Sequence, residues 1–398
     1  MFGHKLKEQF LLGAENNTVN HGSYGAVPKP VWEKYKEFML QDLTFPDQFT
    51  IQEQQAAMVK SLKVIAEFVN TSFENLAFVP NATTGVGATL RSLPLTKEDK
   101  LLFPSTIYEA CKNNIEYLAE KIGFETTVIE LNYPMEDQEV LDLYEAELKT
   151  GQYRYCYFDA VTSMPGVRVP FEKLVAMSRQ YGALSIVDGA HSVGLIDLDL
   201  DAIKPDFFTS NLHKWLFLPR AAAILYVDPK HQSFVQPLPL SHAYKGKKFY
   251  ERFLFVASNN YSSYLCVEEA IKFRKEVCGG EEKIHEYCKK LADEVLNLLG
   301  KDDPFENSTK TLSTAMVNIK IPISEELLAH IKENYVYFRT FIADNMFAEN
   351  SYVPPSVTKT DLFVRYSCQV YNELEDFKKA HELFLKIMNK YEQSVATK

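Results

Sequence analysis

Between Leu76 and Val227 the chain alternates short apolar runs with stretches of helical periodicity, and that alternation leaves few folds open. Strands are predicted at Leu76–Val79, Leu101–Phe103, Thr127–Leu131, Tyr155–Val161, Leu184–Asp188, Asp206–Ser210 and Ala222–Val227. Helical periodicity fills several gaps, notably Glu136–Leu148 and Phe171–Tyr181, and an earlier helix begins near Pro28 and Pro30. Strands that alternate with helices imply a mainly parallel sheet covered on both faces. The texture changes near residue 262. From there to Leu299 the chain reads as helix broken at Gly279-Gly280; strands follow at Ala315–Ile321 and Phe363–Ser367, with helices at Ser324–Asn334 and Glu375–Tyr391. At 398 residues two domains are expected. The division is an N-terminal segment 1–20, a large α/β domain 21–262, and a smaller α+β domain 263–398 with its connecting helices.

Two blocks carry chemistry. Asp188 ends an apolar strand and opens Asp188-Gly189-Ala190-His191-Ser192, while Lys214 lies in Asn211-Leu212-His213-Lys214-Trp215. In a doubly wound sheet, ligands bind beyond the carboxyl ends of strands, where both blocks are expected. Apolar neighbours such as Trp215, Leu216 and Phe217 lower an amine's pKa and favour the nucleophilic form. Taken alone, Asp188 could cap a helix, His191 could sit satisfied at a helix start, and Lys214 could be a surface residue. Together they form the pair that pyridoxal 5′-phosphate (PLP) enzymes need: an amine for the aldehyde, and a carboxylate that keeps the ring nitrogen protonated. Small residues at 189 and 190 would let a planar ring approach the backbone.

Other residues complete a possible site. Asn81-Ala82-Thr83-Thr84-Gly85 opens a helix after a strand, so its free N–H groups suit a phosphate. Tyr108 follows a strand and could stack on a ring or simply pack in the core. Arg365 ends the run Leu362-Phe363-Val364, where it could clamp a substrate carboxylate or form an interdomain ion pair.

A formal net charge of −10 argues against a nucleic-acid partner and gives no reason to expect an anionic membrane surface. No apolar run approaches the ~20 residues that span a bilayer. The six cysteines form no Cys-x-x-Cys pair, which suits a reducing compartment and offers no zinc site. The segment His4-Lys5-Leu6-Lys7 lacks a signal-peptide core, so a cytoplasmic location is expected. No Gly-x-Gly-x-x-Gly follows an early strand, which disfavours a nicotinamide dinucleotide enzyme.

With these motifs the chain resembles the class V aminotransferase superfamily of fold-type I PLP enzymes, in the branch that includes isopenicillin N epimerase-like proteins. The resemblance rests on Asn20-His21-Gly22-Ser23-Tyr24-Gly25, on the two blocks above, on Asn81–Gly85 and on Val364-Arg365-Tyr366-Ser367. It is also similar to the fungal ergothioneine-pathway lyases that cleave hercynylcysteine sulfoxide, through Thr162-Ser163-Met164-Pro165, Pro239–Tyr244 and the run from Ala270 to Ile284. The resemblance implies a large domain with a seven-stranded sheet and a homodimer with shared active sites. It implies Lys214 as the cofactor-bearing residue, Asp188 against the ring nitrogen and His191 against the phenolic oxygen. Tyr108 would cover the ring; Thr83, Thr84, Asn211 and His213 would hold the phosphate, joined by Ser258 of a neighbouring subunit. Arg365 would bind the substrate carboxylate. Ala257-Ser258 stands where Gly-Thr is usual, and Pro219-Arg220-Ala221 where many relatives have Pro-Lys-Gly.

The implied reaction is β-elimination from a cysteine-conjugate sulfoxide, giving pyruvate and ammonia. Epimerisation shares the early steps but needs a second acid, for which Tyr24 and His21 are the candidates near the substrate. A cysteine desulfurase needs a mobile nucleophilic Cys, and the expected loop from Phe341 to Lys359 has none. A non-catalytic scaffold is the alternative from another class.

Overall fold

The computed structural model describes residues 2–302 and 304–396. The larger sheet holds β1 (Leu76–Val79), β2 (Lys100–Pro104), β3 (Glu125–Ile129), β4 (Tyr155–Asp159), β5 (Leu184–Asp188), β6 (Phe207–Asn211) and β7 (Ala223–Val227). Their order is β1-β7-β6-β5-β4-β2-β3. β2 runs parallel to β3 and β4, β4 to β5, and β5 to β6, whereas β7 is antiparallel to both β6 and β1. One reversed strand therefore sits in an otherwise parallel sheet, the expected architecture. Alternate residues serve opposite faces: Leu102, Phe158, Val187 and Phe208 pack on one side, Leu101, Tyr157, Ile186 and Phe207 on the other.

Two strands, β3 and β4, differ from expectation by two residues, and the other expected strands by one at most. β3 begins at Glu125, two residues early, because it is the sheet's edge and exposes Glu125, Thr126 and Val128; its polarity hid its start. β4 stops at Asp159, where Ala160 turns to donate to the Asp188 carbonyl at 2.9 Å.

A second, antiparallel sheet orders β8 (Met316–Ile321), β10 (Leu362–Ser367) and β9 (Pro355–Val357). Helices Glu281–Leu299 and Leu374–Ala396 cover it and share its core with Ile319, Phe338, Val364 and Phe384. Helix Val267–Glu276 buries Val267 and Ala270 in the large unit, against helices Lys29–Thr44 and Gln54–Phe68. The stretch Phe341–Lys359 is also not one loop. It contains the end of helix Tyr335–Phe347, held by buried Phe338, Ile342 and Met346, and then β9. The N-terminal segment is tied to the small unit: Gly3 N–H donates to the Val370 carbonyl, and Ser367 N–H to that of Val19.

β1, β2, β4, β5 and β6 all deliver their carboxyl ends to one edge of the large sheet. Asn81, Tyr108, Ser163, Asp188 and Lys214 follow those ends, and the second sheet presents Arg365 from β10.

Candidate active site

Beyond β1, Asn81 caps helix Ala82–Ser92, its carboxamide oxygen accepting from the Thr84 N–H at 2.8 Å and the Thr84 hydroxyl at 3.0 Å. Asn211 Oδ1 accepts the Ala82 N–H at 2.9 Å, tying the end of β6 to the start of this helix. Thr83 lies between these anchored neighbours. Among the described residues, neither its N–H nor its hydroxyl has a hydrogen-bond partner. A helix start with free donors is suited to a phosphate. Thr84 spends both its N–H and its hydroxyl, and Asn211 its carboxamide oxygen, on building this cradle.

Asp188 is buried at the end of β5 and accepts three hydrogen bonds. The donors are the Tyr157 hydroxyl at 2.9 Å, the Cys111 thiol at 3.4 Å and the Ala190 N–H at 2.9 Å. Three donors stabilise a charged carboxylate away from water. Asp159 pairs with it across β4 and β5, and burial together with the Asp188 charge raises the Asp159 pKa well above the carboxylate range. Packing also demands a glycine at 189: a Cβ there would lie 2.4 Å from the Phe208 ring.

The Lys214 side chain is partly buried, and burial lowers its pKa from 10.5 to about 7. Arg365 adds to that, while Asp188 and Cys111 oppose it. Its Nζ lies 3.1 Å from His191 Nε2, and His191 Nδ1 accepts the Trp215 indole N–H at 3.2 Å. Burial, Lys214 and Arg365 keep His191 neutral. The lysine loop is held from behind. His21 Nε2 donates to the Lys214 carbonyl at 2.9 Å, and His21 Nδ1 accepts from the Tyr371 hydroxyl at 2.9 Å. Burial drops the His21 pKa to about 3. His21 is therefore a support for the lysine backbone, with neither ring nitrogen free for a substrate. Gly25 has φ +70°, and a Cβ there would fall 1.9 Å from the His213 carbonyl oxygen, so only glycine lets this segment lie against the lysine loop.

Arg365 is fully buried, and among the described residues no carboxylate faces it. Its acceptors are the Ser163 carbonyl, Asn20 Oδ1 and Ser23 Oγ, each at 2.8 Å, while its Nε is buried without a partner. Burial brings its pKa down to about 10. The interdomain ion pair weighed as an alternative is not formed. An uncompensated buried cation favours an incoming anion.

Tyr108 is 50% exposed and Tyr24 67% exposed, and both phenols lie within electrostatic range of one another. Arg220 sits 5.9 Å from the Tyr24 ring centre. His213 is held through Nδ1 by the Ala222 carbonyl at 2.9 Å, leaving Nε2 open, and burial lowers its pKa to about 4. Ser258 is exposed on the loop after Leu254, apart from these contacts. Sequence reasoning missed Tyr157, Cys111, Trp215, Asn20, Ser23 and Ser163 as supports. Tyr157 had a signal, since it stands two residues before Asp159 on one face of β4; the others become neighbours only through tertiary packing.

Residues 26–379 match the family model described as Aminotransferase class-V. The chain is 27% identical to the hercynylcysteine sulfoxide lyase of Schizosaccharomyces pombe over 95% of both chains. It is 31% identical to the L-cysteine desulfhydrase-like protein lolT1 of Epichloe uncinata, over 74% of this chain and 70% of that protein. Isopenicillin N epimerase of Streptomyces clavuligerus is 28% identical over 61% of each chain. Among solved structures, a C-DES mutant with glycine covalently linked to its PLP cofactor superposes with a TM-score of 0.75 at 17% identity, covering 96% of this chain and 98% of that one.

Proposed function

The chain belongs to the aminotransferase class-V family, and from that premise we propose that it is a PLP-dependent carbon–sulfur lyase acting on a cysteine conjugate oxidised at sulfur. The observation that carries this reading is the Lys214 amine, lowered to about 7 and within electrostatic range of both Asp188, which accepts three hydrogen bonds, and a buried, uncompensated Arg365. Those three groups match an aldehyde, a protonated ring nitrogen and a substrate carboxylate in turn. The free donors of Thr83 match the phosphate, whereas His213, neutral and donating through Nδ1 to the Ala222 carbonyl, turns only a lone pair outward at Nε2.

When bound, PLP supplies an electron sink for the charge left as the substrate loses its Cα proton. The protein's part is positioning and proton transfer. Arg365 orients the substrate by its carboxylate. Lys214 would accept the Cα proton at Nζ, which its lowered pKa permits at neutral pH. Asp188, held by Tyr157, Cys111 and the Ala190 N–H, would be the residue to hold the cofactor's ring nitrogen. The Cβ–S bond then breaks, the sulfur leaving as a sulfenate that takes up a proton. Water completes the balance, and the three-carbon fragment ends as pyruvate and ammonium.

The open mouth lined by Tyr24, Tyr108 and Arg220 supports a substrate larger than cysteine itself. The hercynylcysteine sulfoxide named for the Schizosaccharomyces relative is the proposed example. Epimerisation would need Tyr24 as its second acid, because both nitrogens of His21 are engaged. A persulfide-forming desulfurase is disfavoured because all six cysteines are buried. Their free, buried thiols also support a reducing compartment such as the cytoplasm. We place Ser258 at a partner's phosphate in a homodimer, to be tested by the oligomeric state and the cofactor affinity of Ser258→Ala.

The deciding assay offers a cysteine-conjugate sulfoxide, the unoxidised conjugate and free cysteine. Fastest pyruvate release from the sulfoxide supports the proposal. Pyruvate with sulfide from cysteine alone assigns a desulfhydrase, and inversion at Cα without pyruvate assigns an epimerase.

A further inference from the structure

Building on the roles given above to Lys214 and His191, we propose that Trp215 is a positioning residue whose indole N–H fixes the proton of His191 on Nε2, the nitrogen facing the Lys214 amine. Trp215 is 1% exposed, and its Nε1 lies 3.2 Å from His191 Nδ1. An indole nitrogen only donates, so Nδ1 must present a lone pair. A neutral imidazole has a single N–H, which therefore resides on Nε2. The same contact excludes the imidazolium, since two N–H groups would then face each other. Lys214, Arg365, His213 and His21 surround the ring and also oppose its protonation.

The Nε2–H then points at Lys214 Nζ, 3.1 Å away. The amine can accept that hydrogen only with its own lone pair, as the free base. An ammonium would set donor against donor. Trp215 thus reaches the lysine through His191 and favours the form that attacks an aldehyde. Among the titratable groups facing the amine, Arg365 works in the same direction, whereas Asp188 and Cys111 work against it. Once the cofactor is held on Lys214, the same Nε2–H is the donor available to its phenolic oxygen.

The indole cannot easily swing away. The Trp215 backbone carbonyl accepts from the buried Arg274 guanidinium at 2.6 Å, the indole ring packs on His21 with centroids 5.0 Å apart, and a Cβ at position 22 would come 3.1 Å from Cζ2.

Two measurements test this. In the wild-type holoenzyme labelled with 15N-histidine, the His191 ring signals, assigned by their loss in His191→Asn, are expected in the neutral Nε2–H pattern between roughly pH 6 and 8. A proton on Nδ1, or on both nitrogens, overturns the proposal. In the apoprotein, the pH dependence of Lys214 acetylation, read by peptide mass, should have its midpoint at about 7. In Trp215→Phe the imidazole can move its proton to Nδ1 and accept from the ammonium. The midpoint should rise by about one pH unit, roughly a tenfold loss of free amine at neutral pH. An unchanged midpoint in a folded variant overturns the proposal; should the variant not fold, the wild-type tautomer decides. A wrong tautomer beside a correctly loaded Lys214 sinks this inference alone. Absence of cofactor from Lys214 sinks the functional reading, and the tautomer remains measurable in the apoprotein.

Discussion

Lys214→Met should make the apoprotein more stable while abolishing cofactor attachment. The wild-type amine falls from 10.5 to about 7 on folding. At ~1.4 kcal/mol per pKa unit, holding it charged in the folded state costs about 5 kcal/mol below pH 7. Partial solvent contact of the side chain cuts this to roughly half. Methionine matches the length but leaves the His191 Nε2–H without its partner, which returns about 1 kcal/mol. The variant should therefore gain about 1–2 kcal/mol. The sign with pH follows from the depressed pKa. The unfolded chain binds the extra proton between about pH 7 and 10.5, so the wild type recovers stability across that window and the advantage of methionine fades. Urea denaturation of both apoproteins, followed by fluorescence of Trp32 and Trp215 in the large unit, measures the difference directly. A wild type at least as stable as the variant at neutral pH, or a difference that does not change up to about pH 10, would refute the reasoning.

Three further outcomes are expected. Arg365→Met should lower kcat/KM about a thousandfold, mainly through KM, with cofactor absorbance retained, because the proposed substrate carboxylate would lose its cationic partner; steady-state kinetics checks it. Asp188→Asn should reduce kcat at least a hundredfold and shift the visible spectrum of the bound cofactor, since the amide cannot hold the ring nitrogen charged. Gly85→Ala should destabilise the protein by about 1–3 kcal/mol and weaken phosphate affinity, because its Cβ would lie 2.3 Å from Thr209 Oγ1 where the cradle helix rests on β6; denaturation and phosphate titration read both effects.

The sheet was legible because buried parallel strands are apolar throughout, and Leu184–Asp188 met its observed limits without adjustment. Edge strand β3 was misjudged because one of its sides faces water. The motif residues were legible for a chemical reason: few side chains can hold an aldehyde or a ring proton. The supports were not. His21 belongs to the same motif as Tyr24, yet it faces the back of Lys214 while Tyr24 lies at the mouth, a difference set by Gly25 and the packing of residues 20–25 on the lysine loop. Asn20 and Ser23 meet Arg365 across 345 and 342 residues of chain, a distance over which local pattern carries no information.

The account rests on a single covalent attachment. Borohydride reduction of the holoprotein followed by peptide mass mapping should place the phosphopyridoxyl group on Lys214 alone. A group on any other lysine, or none after incubation with PLP, would contradict it.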